Sequence, residues 1–132
     1  MNSPDTLEAQ MNTRLQDAYR DMASKNLEKL MALYAPDALI QSSGSAPITG
    51  TAAIRQFWRE TFEAFDLCLV PVVDEVRADH ELIFVRGHAD GTMLPRDGSA
   101  PSQVHVWFHQ VYIRSPDGTL LFWRGGNGAA AP

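Results

Sequence analysis

The chain has 132 residues, of which 45% are hydrophobic, 9% aromatic and 20% charged. That suits one ordinary buried core and excludes a disordered or collagen-like chain as the main state. Eleven Lys and Arg against sixteen Asp and Glu leave a net charge of −5, with no clustered basic face, so a nucleic-acid partner is not expected. No apolar stretch approaches the roughly 18 residues of a membrane helix. The N-terminus also lacks the basic-then-apolar grammar of a signal peptide. The single Cys68 cannot close an intrachain disulfide, and the reading is a cytoplasmic protein.

Ser3-Pro4-Asp5 supplies a cap and a first-turn proline. Behind it Leu7, Met11, Leu15, Ala18 and Met22 form one apolar stripe, predicting a helix to about Ala23. Ser24 or Asn26 caps a second, shorter helix with Leu27, Leu30, Met31 and Tyr34 on its inner face, and Pro36 stops it. A brief strand over Ala38–Gln41 and a loop over Ser42–Pro47 follow. Thr49-Gly50 opens a third helix with Ile54, Phe57, Trp58, Thr61, Phe62 and Phe65 on one broad face. Leu67–Val76, Leu82–Leu94, Val104–Arg114 and Thr119–Trp123 are then rich in β-branched and aromatic residues, and turn signals separate them. Three helices followed by strands predict one α+β domain over residues 1–132 with a curved antiparallel sheet. Residues 128–132 read as a frayed tail.

The chemistry-bearing residues are few. No Gly-x-Ser-x-Gly elbow is present, Cys68 between Leu67 and Leu69 reads as a buried inert thiol, and no helix follows Gly125-Gly126-Asn127-Gly128 to receive a phosphate. His105 and His109 lie four apart on a strand, about 13 Å, too far to share one ion. No metal and no cofactor are implied. In Arg86-Gly87-His88-Ala89-Asp90 the alternation puts Phe84, Arg86, His88 and Asp90 on one face. A His–Asp couple there is either an acid–base pair near neutral pH or a solvated polar face.

Two blocks, Asn26–Ala38 and Gly50–Trp58, together with Glu75-Val76-Arg77-Ala78, resemble the nuclear transport factor 2-like superfamily, particularly its ketosteroid isomerase and SnoaL-like cyclase branches. The resemblance covers nearly the whole chain. It implies a cone in which helices pack across a strongly bent sheet around one apolar cavity. An isomerase of this kind uses a carboxylate base, a tyrosine and a protonated aspartic acid. Those positions fall on Ser42, on Ala18 beside Tyr19, and on Gln110, so the three key groups are replaced and steroid isomerisation is not expected. The resemblance also turns Phe84, Arg86, His88 and Asp90 toward the cavity with Gln110, Tyr112, Trp123 and Asn127, and makes walls of Trp58, Phe62, Phe84 and Trp123.

The leading expectation is therefore a small, largely apolar or partly anionic organic ligand in the cone cavity. His88 would act as acid or base, Asp90 as its orienting partner, and Arg86 or Gln110 as stabiliser. Tyr19, Ser42, Trp58, Phe62, Phe84, Gln110, Tyr112, Trp123 and Asn127 would contact the ligand. A binding protein with the same pocket and no turnover is the second expectation. The third is an assembly module that uses the outer sheet face. On that face His105, Trp107 and His109 would carry a homodimer contact.

Overall fold

Thr6 opens the first helix: its hydroxyl accepts the Ala9 amide at 3.2 Å, a side-chain N-cap. The structure, a computed structural model, describes residues 6–130, so the cap expected at Ser3-Pro4-Asp5 lies outside the described residues. Helix α1 runs Leu7–Ala23, and its stripe buries Met11 and Leu15. Asn26 caps α2, Leu27–Met31, by accepting the Lys29 amide at 3.2 Å. That helix is shorter than expected. Tyr34 already belongs to strand β1, Tyr34–Ser42, and Pro36 sits inside the strand rather than ending the helix. Proline is tolerated there because the β1 ladder is irregular between Tyr34 and Leu39, where no amide is needed from position 36. A two-residue edge strand, β2, Ile48–Thr49, was hidden in loop-like sequence. Gly50, at a φ of 88°, then turns the chain into α3, Thr51–Ala64.

Four long strands complete the chain: β3 Phe65–Asp79, β4 Leu82–Pro95, β5 Ser102–Arg114 and β6 Leu120–Ala129. The sheet order is β2-β1-β6-β5-β4-β3. All neighbours are antiparallel except β1 and β6, which run parallel, a departure from the purely antiparallel expectation. Gly128 and Ala129, expected in a frayed tail, pair with Trp107 and Val106, and the Ala130 amide donates to the His105 carbonyl at 2.8 Å. The described chain is a cone of helices packed against a curved, unclosed sheet, the shape the resemblance implies.

The bend has an identifiable cause. Gly87 and Gly91, with Ala89 between them, put almost no side chain on the inner face of β4 from position 87 to 91. A Cβ at Gly87 would lie 2.1 Å from the Val72 carbonyl oxygen and 2.6 Å from Phe108 Cζ. A Cβ at Gly91 would lie 1.9 Å from the Cys68 oxygen. β3 bulges opposite, between Val73 and Glu75. Small residues facing a bulge let two strands close and curl together. The core fills the concave side with Met11, Leu15, Ile54, Val85, Phe108, Tyr112 and Phe122, among others. Alternation along β3 sends Leu67 and Leu69 inward and leaves Cys68 exposed, correcting the reading of a buried thiol.

Candidate functional site

Between α1, α3 and the concave sheet face lies a cavity of about 270 Å³. An apolar cavity of about 150 Å³ accommodates benzene, so this one has room for a skeleton of one or two rings. Leu15, Ala18 and Met22 of α1 line it on one side, Phe57, Trp58 and Thr61 of α3 on another, and Leu67, Leu69, Met93, Val106 and Phe108 across the sheet. Its polar groups come from Arg14, Tyr19, Tyr34, Ser42, Gln110, Tyr112 and Asn127. Ser42 pairs with Asn127 across the parallel β1–β6 ladder. Asn127 is exposed, which places this pair at the rim.

The buried polar groups are held in fixed orientations. Tyr112 donates its hydroxyl proton to Gln110 Oε1 at 2.6 Å, which leaves the Gln110 amide N–H groups as donors. Trp58 Nε1 donates to the Tyr34 hydroxyl oxygen at 3.0 Å. Arg14 donates to two backbone carbonyls, Leu120 at 3.1 Å and Leu33 at 2.8 Å, and its guanidinium stands 5.7 Å from the centre of the Tyr112 ring. Burial pushes the Tyr34 phenol up to about 12 and raises Tyr19 and Tyr112 as well, so at neutral pH all three are hydroxyl donors and none is a base. No carboxylate and no imidazole is among the described residues lining the cavity.

Of the residues expected to meet a ligand, Tyr19, Ser42, Trp58, Gln110, Tyr112 and Asn127 line this cavity. Ala18, Ser42 and Gln110, the positions onto which the isomerase's three groups fall, line it too. Phe62 is buried and packs on Trp58, with ring centres 5.6 Å apart, rather than on the cavity. Arg14, Tyr34 and Phe108 were missed. Arg14 falls outside the apolar stripe that drew attention to α1, and Tyr34 was read as helix.

The expected catalytic group is corrected by the strand register. Arg86 pairs with His109, His88 with Trp107 and Asp90 with His105. Directly opposed residues share a face, so Phe84, Arg86, His88 and Asp90 join the outward histidines, while Ile83, Val85, Gly87 and Ala89 look inward. A shift of one residue in assigning faces inverts every side chain. Outside, His88 Nδ1 donates to Asp74 Oδ2 at 2.8 Å and His105 Nδ1 to Asp90 Oδ1 at 2.6 Å, and His88 Nε2 lies 3.9 Å from Asp90 Oδ2. The Asp74 carboxylate holds the His88 imidazole above its ordinary 6.5. Arg86 Nε donates to Glu75 Oε1 at 2.7 Å. These are surface pairs on the side of the sheet remote from the cavity. No group of three or more metal-ligating side chains is assembled among the described residues.

Trp123 also leaves the cavity, for a different reason. β6 carries one extra residue between the pairs Phe122↔Tyr112 and Arg124↔Val111. The bulge resets the alternation, so Phe122, Gly125 and Asn127 line the cavity while Trp123 does not. Its indole Nε1 donates to Asp37 Oδ2 at 3.3 Å under the Arg124 guanidinium, 4.2 Å from the ring centre. Phe84 stands edge-on to His109 on the outer face, 5.8 Å away.

A helical layer over a bent sheet with one concave, mostly apolar cavity defines the nuclear transport factor 2-like class. Residues 15–121 match the SnoaL-like domain, and the chain belongs to that family. No curated protein sequence matches it. Solved structures that resemble it share the fold at low identity. A ketosteroid isomerase-like protein from Erwinia carotovora atroseptica has a TM-score of 0.84 at 16% identity, covering 100% of both chains. A candidate dehydratase of the nuclear transport factor 2-like family from Streptomyces avermitilis has a TM-score of 0.76 at 16% identity, over 98% of this chain and 100% of that one. A candidate calcium/calmodulin-dependent protein kinase type II association domain from Thiobacillus denitrificans has a TM-score of 0.67 at 23% identity, over 87% and 91%. No helix among the described residues is long and apolar enough to cross a membrane.

Proposed function

We propose that this protein holds a small organic molecule of one or two rings in the cone cavity, without acid–base turnover. The observation that carries the reading is the lining itself: an apolar wall with oriented hydroxyl, amide and guanidinium groups, and no carboxylate or imidazole among the described residues. Ser42 and Gln110 occupy positions where an isomerase would need a base and a protonated acid, and neither supplies one. His88 and Asp90, the pair otherwise suited to proton transfer, are engaged with Asp74 and His105 on the opposite face. The neighbours described as isomerase-like and as a candidate dehydratase support a small-molecule cavity, not a particular reaction. Calorimetric titration with one- and two-ring alcohols, amides and carboxylates tests this. Binding to the wild-type protein, lost in a folded Ala18→Trp variant whose indole fills the cavity, is the expected result. No binding by any of them, or binding unchanged in Ala18→Trp, overturns it.

The outer sheet face supports a second proposal, a homodimer. Trp107, Val70 and Val72 are 40%, 58% and 43% exposed. Val72, His88 and Trp107 form one row across three strands, and Val70 heads the next. An apolar patch of this kind suits a second copy of the chain. Sedimentation equilibrium giving a dimer for the wild type and a monomer for Trp107→Glu is expected. A wild-type monomer at micromolar concentration ends the proposal.

A further inference from the structure

The buried polar groups of the cavity are unbalanced. Gln110 Oε1 already accepts from the Tyr112 hydroxyl, and the Tyr34 oxygen already accepts from Trp58. The donors that remain are the Gln110 amide N–H groups, the Tyr34 and Tyr19 hydroxyl protons, and the N–H groups of Arg14 beyond the two given to Leu33 and Leu120. The lining oxygens that can still accept, on Tyr19, Ser42, Thr61, Gln110, Tyr112 and Asn127, are all neutral, and among the described residues none belongs to a carboxylate.

Charge is unbalanced in the same direction. Arg14 is the one charged side chain lining the cavity among the described residues. It makes no ion pair there, its described partners being neutral carbonyls and the face of an aromatic ring. Desolvation of its guanidinium outweighs the attraction of the groups around it, Tyr112 and Tyr34 ahead of Asp17 and Asp21, and Asp17 instead pairs with Arg20 at 2.9 Å. A cation withdrawn from water without a counter-ion is unfavourable, and a carboxylate that neutralises it gains a charge-assisted, potentially bidentate contact.

We infer that the cavity selects an organic carboxylate, its apolar body of one or two rings against the hydrophobic walls and its carboxylate neutralising Arg14. This rests on the reading of the cavity as a ligand site and adds the chemical class of the ligand. The proof is a matched pair: 2-naphthoate and 2-naphthamide, titrated calorimetrically at pH 7 into wild type, Arg14→Gln and Arg14→Lys. The wild type should bind the carboxylate at least about tenfold more tightly than the amide, a difference of about 1.4 kcal/mol. The preference should fall to near unity in Arg14→Gln and persist in Arg14→Lys. An amide bound as tightly as the carboxylate by the wild type overturns the inference while leaving the cavity reading standing. A preference that survives Arg14→Gln does the same. Should Arg14→Gln fail to fold, the wild-type ratio alone decides. If neither compound binds the wild type, the inference falls, and the cavity reading falls with it only when the wider panel of alcohols, amides and carboxylates also fails to bind.

Discussion

Replacing Gly87 by alanine should damage this fold more than almost any other addition of a single methyl group. A Cβ there would stand 2.1 Å from the Val72 carbonyl oxygen and 2.6 Å from Phe108 Cζ. An ordinary carbon–oxygen contact needs about 3.3 Å, so the two strands must part by roughly 1 Å. One or two ladder hydrogen bonds are then lost at about 1 kcal/mol each, and the overpacked Phe108 adds about 1–3 kcal/mol. The total is about 2–5 kcal/mol, a large share of the ~5–15 kcal/mol that stabilises a typical domain. For a chain of this length that corresponds to a fall in Tm on the order of 10 °C. Circular dichroism melts and urea titrations of Gly87→Ala measure it. Adding Phe108→Leu should recover only about 1 kcal/mol, because the Val72 oxygen belongs to the backbone and stays in place. A Gly87→Ala variant melting within a degree or two of wild type would refute the account of how the sheet bends.

Three further outcomes are expected. Asn26→Ala removes the acceptor of the Lys29 amide and should lower stability by about 1 kcal/mol, read as a shift in the urea midpoint. Asp74→Asn should lower the His88 pKa in an NMR titration. The raised folded-state value means that the His88–Asp74 pair contributes stability in full below the ordinary 6.5 and loses it as pH rises through the folded-state value, so the variant's stability should depend less on pH across that range. His88→Gln should leave binding of cavity ligands unchanged in calorimetry, since the imidazole lies on the far face of the sheet. A marked loss of affinity there would reopen a role for it in the site.

The helices were legible because an apolar stripe constrains them over several turns: Leu7, Met11 and Leu15 admit one burial face, as do Ile54 and Phe62. The long strands were legible for the same reason, through runs of β-branched and aromatic residues. What the pattern left open was the face of each strand. Phe84, Arg86, His88 and Asp90 alternate perfectly, yet alternation says only that they point the same way. The side they point to depends on pairing with Val111, His109, Trp107 and His105, twenty or so residues on. Gly87 and Ala89 were the available signal, since a face reduced to hydrogen and methyl is what a tightly bent inner surface requires. Trp123 was misplaced by a bulge, and a bulge leaves no mark in local hydropathy. The resemblance carried Ser42, Gln110 and Asn127 to positions that line the cavity, and the same resemblance turned Phe84, Arg86, His88, Asp90 and Trp123 toward it although they lie outside.

The parallel pairing of β1 with β6 has a consequence for how the molecule comes into being. Ser42 meets Asn127 and Ile40 meets Gly125, so the wall of the cavity nearest its rim joins segments some eighty residues apart in the chain. On a ribosome, α1, α2 and β1 emerge early and wait, with the buried faces of Ala38 and Ile40 uncovered, until Leu120–Ala129 has been synthesised. Loop-closure entropy makes such distant contacts late and slow, and the waiting strand is an open edge on which nascent chains associate. Exposed Asp37 and Gln41, along β1, and the interruption at Pro36 blunt that edge during the interval. The β1–β6 wall of the cavity therefore cannot close before the last strand of the sheet has left the ribosome.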